Sequence, residues 1–287
     1  MTTDTSKPEL AVVTGASTGI GRATAERLVR AGYHVLGGVR TRADLEDIRR
    51  AGIEPVMLDV TDSEQIRRLR ERIEGDPLGR PLRALVNNAG IAINAPVEVI
   101  PLPDWRRQLE VSVLGPVAMI QSLLPALLAS HGRVVNIGSV GSMVAMPGFG
   151  AYSAAKFAMD AVNDALRREM APFGVRVVLV TPGAVKTRLT GRGLAEADRV
   201  SASMTPEQRV RYAPLMTAYR ATVEGWARTG VEADAVARTV KTAINARSPR
   251  TRYTVGRDAG IMMTASRLAS DRILDRMVRS GMKLPVR

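Results

Sequence analysis

Cysteine is absent from the 287 residues, which excludes a disulfide framework and any metal held by thiolates. Histidine is nearly absent: His34 and His131 are the two, and neither stands near a second ligand in sequence. No metal site is expected. Aromatic residues make up only 3%, and few of them interleave with basic ones. The stacking platforms that accompany basic stripes in nucleic-acid binders are therefore missing, despite a net charge of +13. The arginines are scattered along helical stretches, and nucleic acid is not an expected partner. No apolar run is expected to reach the ~20 residues of a membrane-spanning helix. The polar stretch Met1–Glu9 lacks the apolar centre of a secretory signal. Together these absences predict a cytoplasmic protein. No internal repeat or low-complexity tract is present.

What is present is a regular alternation. Hydrophobic residues make up 45% of the chain, enough for a sizeable core. Short apolar runs lie at Leu10–Val13, Tyr33–Val39, Glu54–Leu58, Ala84–Val86, Arg133–Ile137, Val175–Val180 and Tyr253–Val255, with helical patterns between them. That order predicts one α/β domain, a doubly wound parallel sheet of about seven strands with helices on both faces. The domain is expected over 1–257, with a basic amphipathic extension at 258–287.

The first run leads into Thr14-Gly15-Ala16-Ser17-Thr18-Gly19-Ile20-Gly21, followed by a helical pattern from Ile20 to Ala31 that ends at Gly32. Gly15 permits a tight turn, Gly19 lets the backbone approach a pyrophosphate, and Gly21 lets helix and strand pack closely. The helix N-terminus supplies free N–H groups and a positive dipole end. Further along, Tyr152 and Lys156 stand one helical turn apart, with Ser139 thirteen positions upstream of the tyrosine. A phenol titrates near pH ~10 and is a poor base at neutral pH. A lysine on the same helix face favours the phenolate and is expected to lower that pKa toward the working range. A serine hydroxyl from a neighbouring strand end can orient the substrate oxygen. Glycine loop and tyrosine–lysine pair together describe hydride transfer.

With Asp59-Val60, Asn87-Asn88-Ala89-Gly90, Asn136-Ile137-Gly138-Ser139, Tyr152-Ser153-Ala154-Ala155-Lys156 and Pro182-Gly183-Ala184-Val185-Lys186-Thr187 in order, the chain resembles the short-chain dehydrogenase/reductases from about Leu10 to about Gly256. The run Pro249–Gly256 is most similar to the last strand of the retinol and hydroxysteroid dehydrogenase branch. The resemblance implies a Rossmann fold and an NAD(P)-dependent oxidoreductase acting on CH–OH or C=O groups. Tyr152 is then the general acid/base, Lys156 tunes it and holds the nicotinamide ribose, and Ser139 positions the substrate oxygen. Gly15, Ser17, Thr18, Gly19, Ile20 and Gly21 form the phosphate loop. Asp59 and Val60 meet the adenine, and Asn88, Ala89 and Gly90 line the adenine-ribose side. Pro182 and Gly183 lead into Val185 and Thr187, which hold the carboxamide. One departure stands out: where the family carries a relay asparagine in its fourth helix, this chain reads Ser112-Val113-Leu114-Gly115. Ser112 is a shorter donor and acceptor that takes the asparagine's place in the catalytic group.

Cofactor choice is read at the end of the second strand, Gly38-Val39-Arg40. Members that prefer NAD usually carry an acidic residue where Val39 stands, and Arg40 suits a 2′-phosphate, with Arg42 as a second candidate. NADP(H) is therefore favoured over NAD(H). The apolar stretch Gly141–Phe149 and a lid at 186–230, holding Leu189, Leu194, Met204, Tyr212, Leu215, Met216 and Trp226, suit a small lipophilic alcohol or ketone, or else pack only on the core or a neighbouring subunit. In the extension, Leu268, Ile273, Leu274, Met277 and Val278 alternate with Arg267, Arg272, Arg276 and Arg279 at helical spacing. Such a helix covers its own subunit or a partner, or makes peripheral membrane contact. The resemblance implies a homodimer or homotetramer formed through the helices around Trp105–Leu128 and Tyr152–Pro172. A non-catalytic NADP(H) sensor and a membrane-surface protein on the same fold are the alternative readings.

Overall fold

The computed structural model describes residues 7–284, apart from the side chain of Arg267. The stretch Met1–Ser6 and the last residues of the extension lie outside the described residues, as does that part of the expectations placed on them. The chain runs β1 (Leu10–Val13), α1 (Gly19–Val29), β2 (His34–Val39), α2 (Arg42–Arg49), β3 (Glu54–Met57), α3 (Ser63–Glu74) and β4 (Leu82–Asn87). There follow α4 (Leu102–Leu109), a π-helical turn (Glu110–Leu114), α5 (Gly115–Ala129), β5 (Arg133–Ile137), α6 (Gly150–Met170) and β6 (Arg176–Pro182). The rest is β7 (Val185–Lys186), α7 (Arg188–Ala202), α8 (Pro206–Thr229), β8 (Val231–Glu232), α9 (Ala233–Asn245), β9 (Arg252–Val255), α10 (Arg257–Leu268) and α11 (Asp271–Gly281).

Seven strands form one parallel sheet in the order β3-β2-β1-β4-β5-β6-β9. The inner strands β1, β2, β4, β5 and β6 are largely buried on both faces, which is why they read as apolar runs, while the edge strands β3 and β9 are only partly covered. In β1, Ala11 and Val13 join the core formed with Leu28 of α1 and Val236, Val240 and Ile244 of α9. Leu10 and Val12 point the other way, into the core with Leu69 of α3, Met119 and Leu123 of α5 and Met159 of α6. Strand order reverses between β1 and β4. The carboxyl ends of these two strands therefore open a crevice, where an open α/β sheet binds its ligand. The sequence did not show the small parallel pair β7–β8. Its two-residue strands carry no periodicity to read.

The expectation about apolar length is corrected here. The continuous helix Leu102–Ala129 is 28 residues long and, by length and composition, apolar enough to cross a membrane. In the fold it is a covering layer, with Met119, Ile120, Leu123 and Leu127 packed against the sheet. Its Gly115 is required by the fit: a Cβ there would sit 2.6 Å from Val60 Cγ2.

The turn from α3 into β4 is held by a buried ion pair. Asp76 accepts from the Arg80 guanidinium (Nη2, 2.6 Å) and from Arg72 (Nη1, 2.9 Å). These partners hold the Asp76 carboxyl well below the ordinary range, with Arg80 contributing most. Asp76→Ala leaves the Arg80 cation buried and unpaired, so we expect a loss of about 3 kcal/mol at neutral pH in urea unfolding. A depressed carboxylate stabilises above its unfolded pKa, and the stabilisation fades as pH falls through the folded one. The gap between variant and wild type should therefore narrow below pH ~4. An undiminished gap in acid would contradict the assignment.

Candidate active site

The phosphate loop follows from its glycines. Gly15 and Gly19 have φ of 66° and 58°, values that L side chains rarely adopt. Gly21 is required for a different reason, since a Cβ there would lie 2.2 Å from the Gly15 carbonyl oxygen. It sits behind the loop and packs helix on strand, while Gly15, Ser17, Thr18, Gly19 and Ile20 line the cleft. Thr18 is the N-cap of α1, yet its side chain makes no capping bond. The first backbone N–H groups of α1 are thus left for an anion. A fastener that sequence reasoning missed holds the loop to the next strand. Thr14 Oγ1 accepts from Asn88 N (3.0 Å) and Ala89 N (2.9 Å), and Asn88 Nδ2 donates to Thr14 O (2.9 Å). Asn88 thus braces the loop as well as lining the cleft.

The cleft, of about 560 Å³, collects nearly all the expected residues. Arg40, Asp59, Val60, Asn88, Ala89, Gly90, Ser139, Tyr152 and Lys156 all line it. Pro182, Gly183, Val185 and Thr187 close one wall. Arg40 is exposed at the mouth. Arg42 does not face the cleft. Its neighbours Thr41 and Asp44 do, and the Thr41 hydroxyl donates to Asp44 Oδ2 at 2.7 Å. Ser112 lies behind the wall. It is buried in the π-helical turn, and its Oγ accepts from Gln108 Nε2 at 2.9 Å. Gln108 also bonds Ile91 O and Ile93 N, so it ties the turn to the segment after β4.

The Ser139–Tyr152–Lys156 group differs in its electrostatics from expectation. Burial pushes the Tyr152 phenol up, and Ser139 is the group that draws it back. Lys156 Nζ stands 5.8 Å from the centre of the tyrosine ring and donates to Ile137 O at 2.9 Å. Burial pulls the lysine itself down to about 8, opposed by Asp160. Desolvation dominates at the enclosed phenol, and Lys156 is not among the groups that shift it. The phenol therefore holds its proton at neutral pH.

Ser139 and Tyr152 converge on Gly141. A Cβ there would lie 3.1 Å from Tyr152 Cε1 and 3.4 Å from Ser139 Oγ. Gly141→Ala should displace the ring by tenths of an ångström. We expect roughly a ten-fold loss of kcat with unchanged cofactor affinity. An unchanged kcat would show that the ring has room to give.

The extension reaches the cleft. Asp258 accepts from Ala184 N at 2.7 Å and occupies the space a side chain at Gly183 would need. Leu274, Met277, Val278 and Gly281 of α11 line the apolar end with Phe149, Tyr219 and Trp226. Their helical spacing was legible in sequence, but the surface they cover was not.

The model of the short chain dehydrogenase family matches residues 9–197. The chain belongs to this family. Over 281 residues it is 33% identical to the NADPH-dependent 3-dehydrocapnine reductase of Ornithobacterium rhinotracheale, covering 95% of this chain and 97% of that one. It is also 33% identical to mouse (Mus musculus) retinol dehydrogenase 5, over 92% of this chain and 85% of the relative. A short-chain dehydrogenase from Streptomyces avermitilis superposes with a TM-score of 0.80 at 30% identity, over 99% of both chains. A Burkholderia cenocepacia short chain dehydrogenase in complex with NADP gives 0.72 at 25% identity, over 97% of this chain and 99% of that one. This short-chain dehydrogenase is an NAD(P)-dependent oxidoreductase, and its relatives include the retinol dehydrogenases.

Proposed function

We propose that the enzyme reduces the carbonyl of a lipophilic ketone or aldehyde with NADPH, or runs the reverse oxidation, with Tyr152 as the acid/base. One observation carries the reading: Ser139, Tyr152 and Lys156 stand in one cleft between an anion-ready glycine loop and an apolar end walled by Val144, Met146, Phe149, Trp226 and α11. The residues fit a dinucleotide, because the α1 N-terminus is uncapped and Gly15 and Gly19 hold the backbone clear of side chains. Bound there, NADP(H) supplies or accepts the hydride. Ser139 donates a hydrogen bond to the substrate oxygen and fixes its place. Tyr152 gives that oxygen its proton, and Lys156 holds the nicotinamide ribose and offsets the charge left on the phenolate. Arg40 takes the 2′-phosphate, unopposed by a carboxylate at Val39. The apolar end excludes water from the reacting carbon. Ser112, one layer back, steadies the wall through Gln108 and stands where the relay water would connect.

The 33%-identical relatives named for an NADPH-dependent reductase and a retinol dehydrogenase support both the cofactor and the apolar substrate. The inward apolar face of α11 favours the extension as a cover for this cleft over a membrane anchor. Exposed Leu114, on the π-helical turn before α5, and Phe157, on α6, suit a homo-oligomer built through those helices. The test is a panel of ketones and aldehydes of graded chain length, followed at the nicotinamide absorbance with NADPH and with NADH. Efficiency should rise with apolar length and be higher with NADPH. A preference for small polar carbonyls would overturn the substrate class.

A further inference from the structure

We propose that Tyr219 is a specificity-determining residue: it is the partition between the active-site cleft and a second cavity within the lid, and it sets the length of the carbonyl compound the enzyme accepts. The inference rests on the reductase reading above and narrows its substrate class.

The second cavity, of about 600 Å³, is lined by residues of α7, of α8 and of the turn between them. Leu194, Ala197, Met204 and Met216 make its apolar surface. Among the described residues, Tyr219 of α8 is the one that lines both this cavity and the cleft. The residue is 1% exposed, so its ring fills the space it occupies between them. On the cleft side the ring meets Phe149, with centroids 5.0 Å apart, and Phe149 meets Trp226 at 5.4 Å. On the other side Tyr219 shares an apolar cluster with Ala197, against which Leu194 and Met216 pack.

The hydroxyl fixes the ring in place. Tyr219 Oη accepts from Asn94 Nδ2 at 3.2 Å and donates to Gly193 O at 3.4 Å. Asn94 follows β4 and Gly193 belongs to α7, so one phenol joins α8 to both. Swinging the ring aside would strip these buried groups of a partner, which is costly. The rim of the lid has fastenings of its own. Tyr212 Oη donates to Glu98 Oε2 at 2.6 Å, and Arg199 Nη2 donates to Asp104 Oδ2 at 2.7 Å. The lid therefore keeps its place when the ring is shortened. An apolar tail in the cleft gains burial with each methylene until it meets this ring.

The experiment is kcat/KM for straight-chain 2-alkanones of increasing length with saturating NADPH, for wild type, Tyr219→Leu and Tyr219→Phe. Each methylene that becomes buried is worth roughly a four-fold gain in efficiency. Wild-type efficiency should climb by about that factor per carbon and fall once the tail reaches the ring. Tyr219→Leu opens the partition. For the first carbon beyond the wild-type limit, its efficiency should rise roughly four-fold where the wild type falls. Tyr219→Phe keeps the ring and should keep the limit. Ala197→Leu added to Tyr219→Leu fills part of the second cavity and should bring the limit back. NADPH affinity, followed by its fluorescence, should hold in every variant. If Tyr219→Leu does not fold, Tyr219→Met opens the same space with a longer side chain and should move the limit the same way. A limit that stays where it was, a loss equal at every length, or a limit moved as far by Tyr219→Phe would overturn the partition and leave a packing residue. A wild type that reduces no ketone or aldehyde of any length would instead overturn the reductase reading itself.

Discussion

Tyr152→Phe should lower turnover by about 10²–10⁴-fold on any accepted substrate, the usual worth of a positioned acid or base. The change keeps the ring that packs beside Gly141 and removes the one proton in line to move. Ser139 and Lys156 remain, and the phosphate loop is not touched, so affinity for NADPH should hardly change. The direction of the phenol's pKa adds a pH test. Burial raises it, so the proton is present throughout the neutral range. The wild-type reduction rate should then not rise between pH ~6 and ~8, whereas the reverse oxidation, which starts from the phenolate, should gain with pH. Near-normal turnover by the phenylalanine variant would remove Tyr152 from the chemistry.

Arg40→Leu should weaken NADPH by roughly ten- to a hundredfold and change NADH much less. A hydrogen bond to a charged group is worth about 1.5–3 kcal/mol, and each ~1.4 kcal/mol is ten-fold in affinity. The arginine is exposed at the mouth of the cleft, directly after buried Val39. Val39→Asp should shift preference toward NADH, because it gives the ribose hydroxyls an acceptor and the 2′-phosphate a like charge. Asp44 lines the same cleft, and its carboxylate accepts from the Thr41 hydroxyl. The ratio of kcat/KM for the two cofactors measures both changes. A wild type that favours NADH, with the ratio unmoved by Arg40→Leu, would make this arginine a surface residue.

The features legible in sequence were those whose cause is local. Apolar runs such as Leu10–Val13 and Arg133–Ile137 coincide with β1 and β5, because a strand buried on both faces needs no pattern beyond continuity. The glycine loop was legible because positive φ and close approach leave a specific residue type. Contacts between distant segments were not. The Thr14–Asn88 fastener spans 74 positions and the Asp160–Arg252 pair 92, and neither residue type announces its partner. The helix Leu102–Ala129 was underestimated because it is interrupted by Arg106, Arg107 and Glu110 near its start, which hides how apolar the remainder is. Charge effects were misjudged in one respect. The lysine's pull on Tyr152 was predicted from spacing, but the weight of burial depends on packing that a sequence does not display.

The most direct measurement is the fate of the hydride. The enzyme is given NADPH deuterated at the transferable position of the nicotinamide together with the most active lipophilic ketone of the panel, and the alcohol is examined by mass spectrometry. The account predicts an alcohol carrying one deuterium on the former carbonyl carbon, formed by wild type and lost with Tyr152→Phe. Alcohol without the label, or labelled alcohol formed equally fast by the phenylalanine variant, would contradict it.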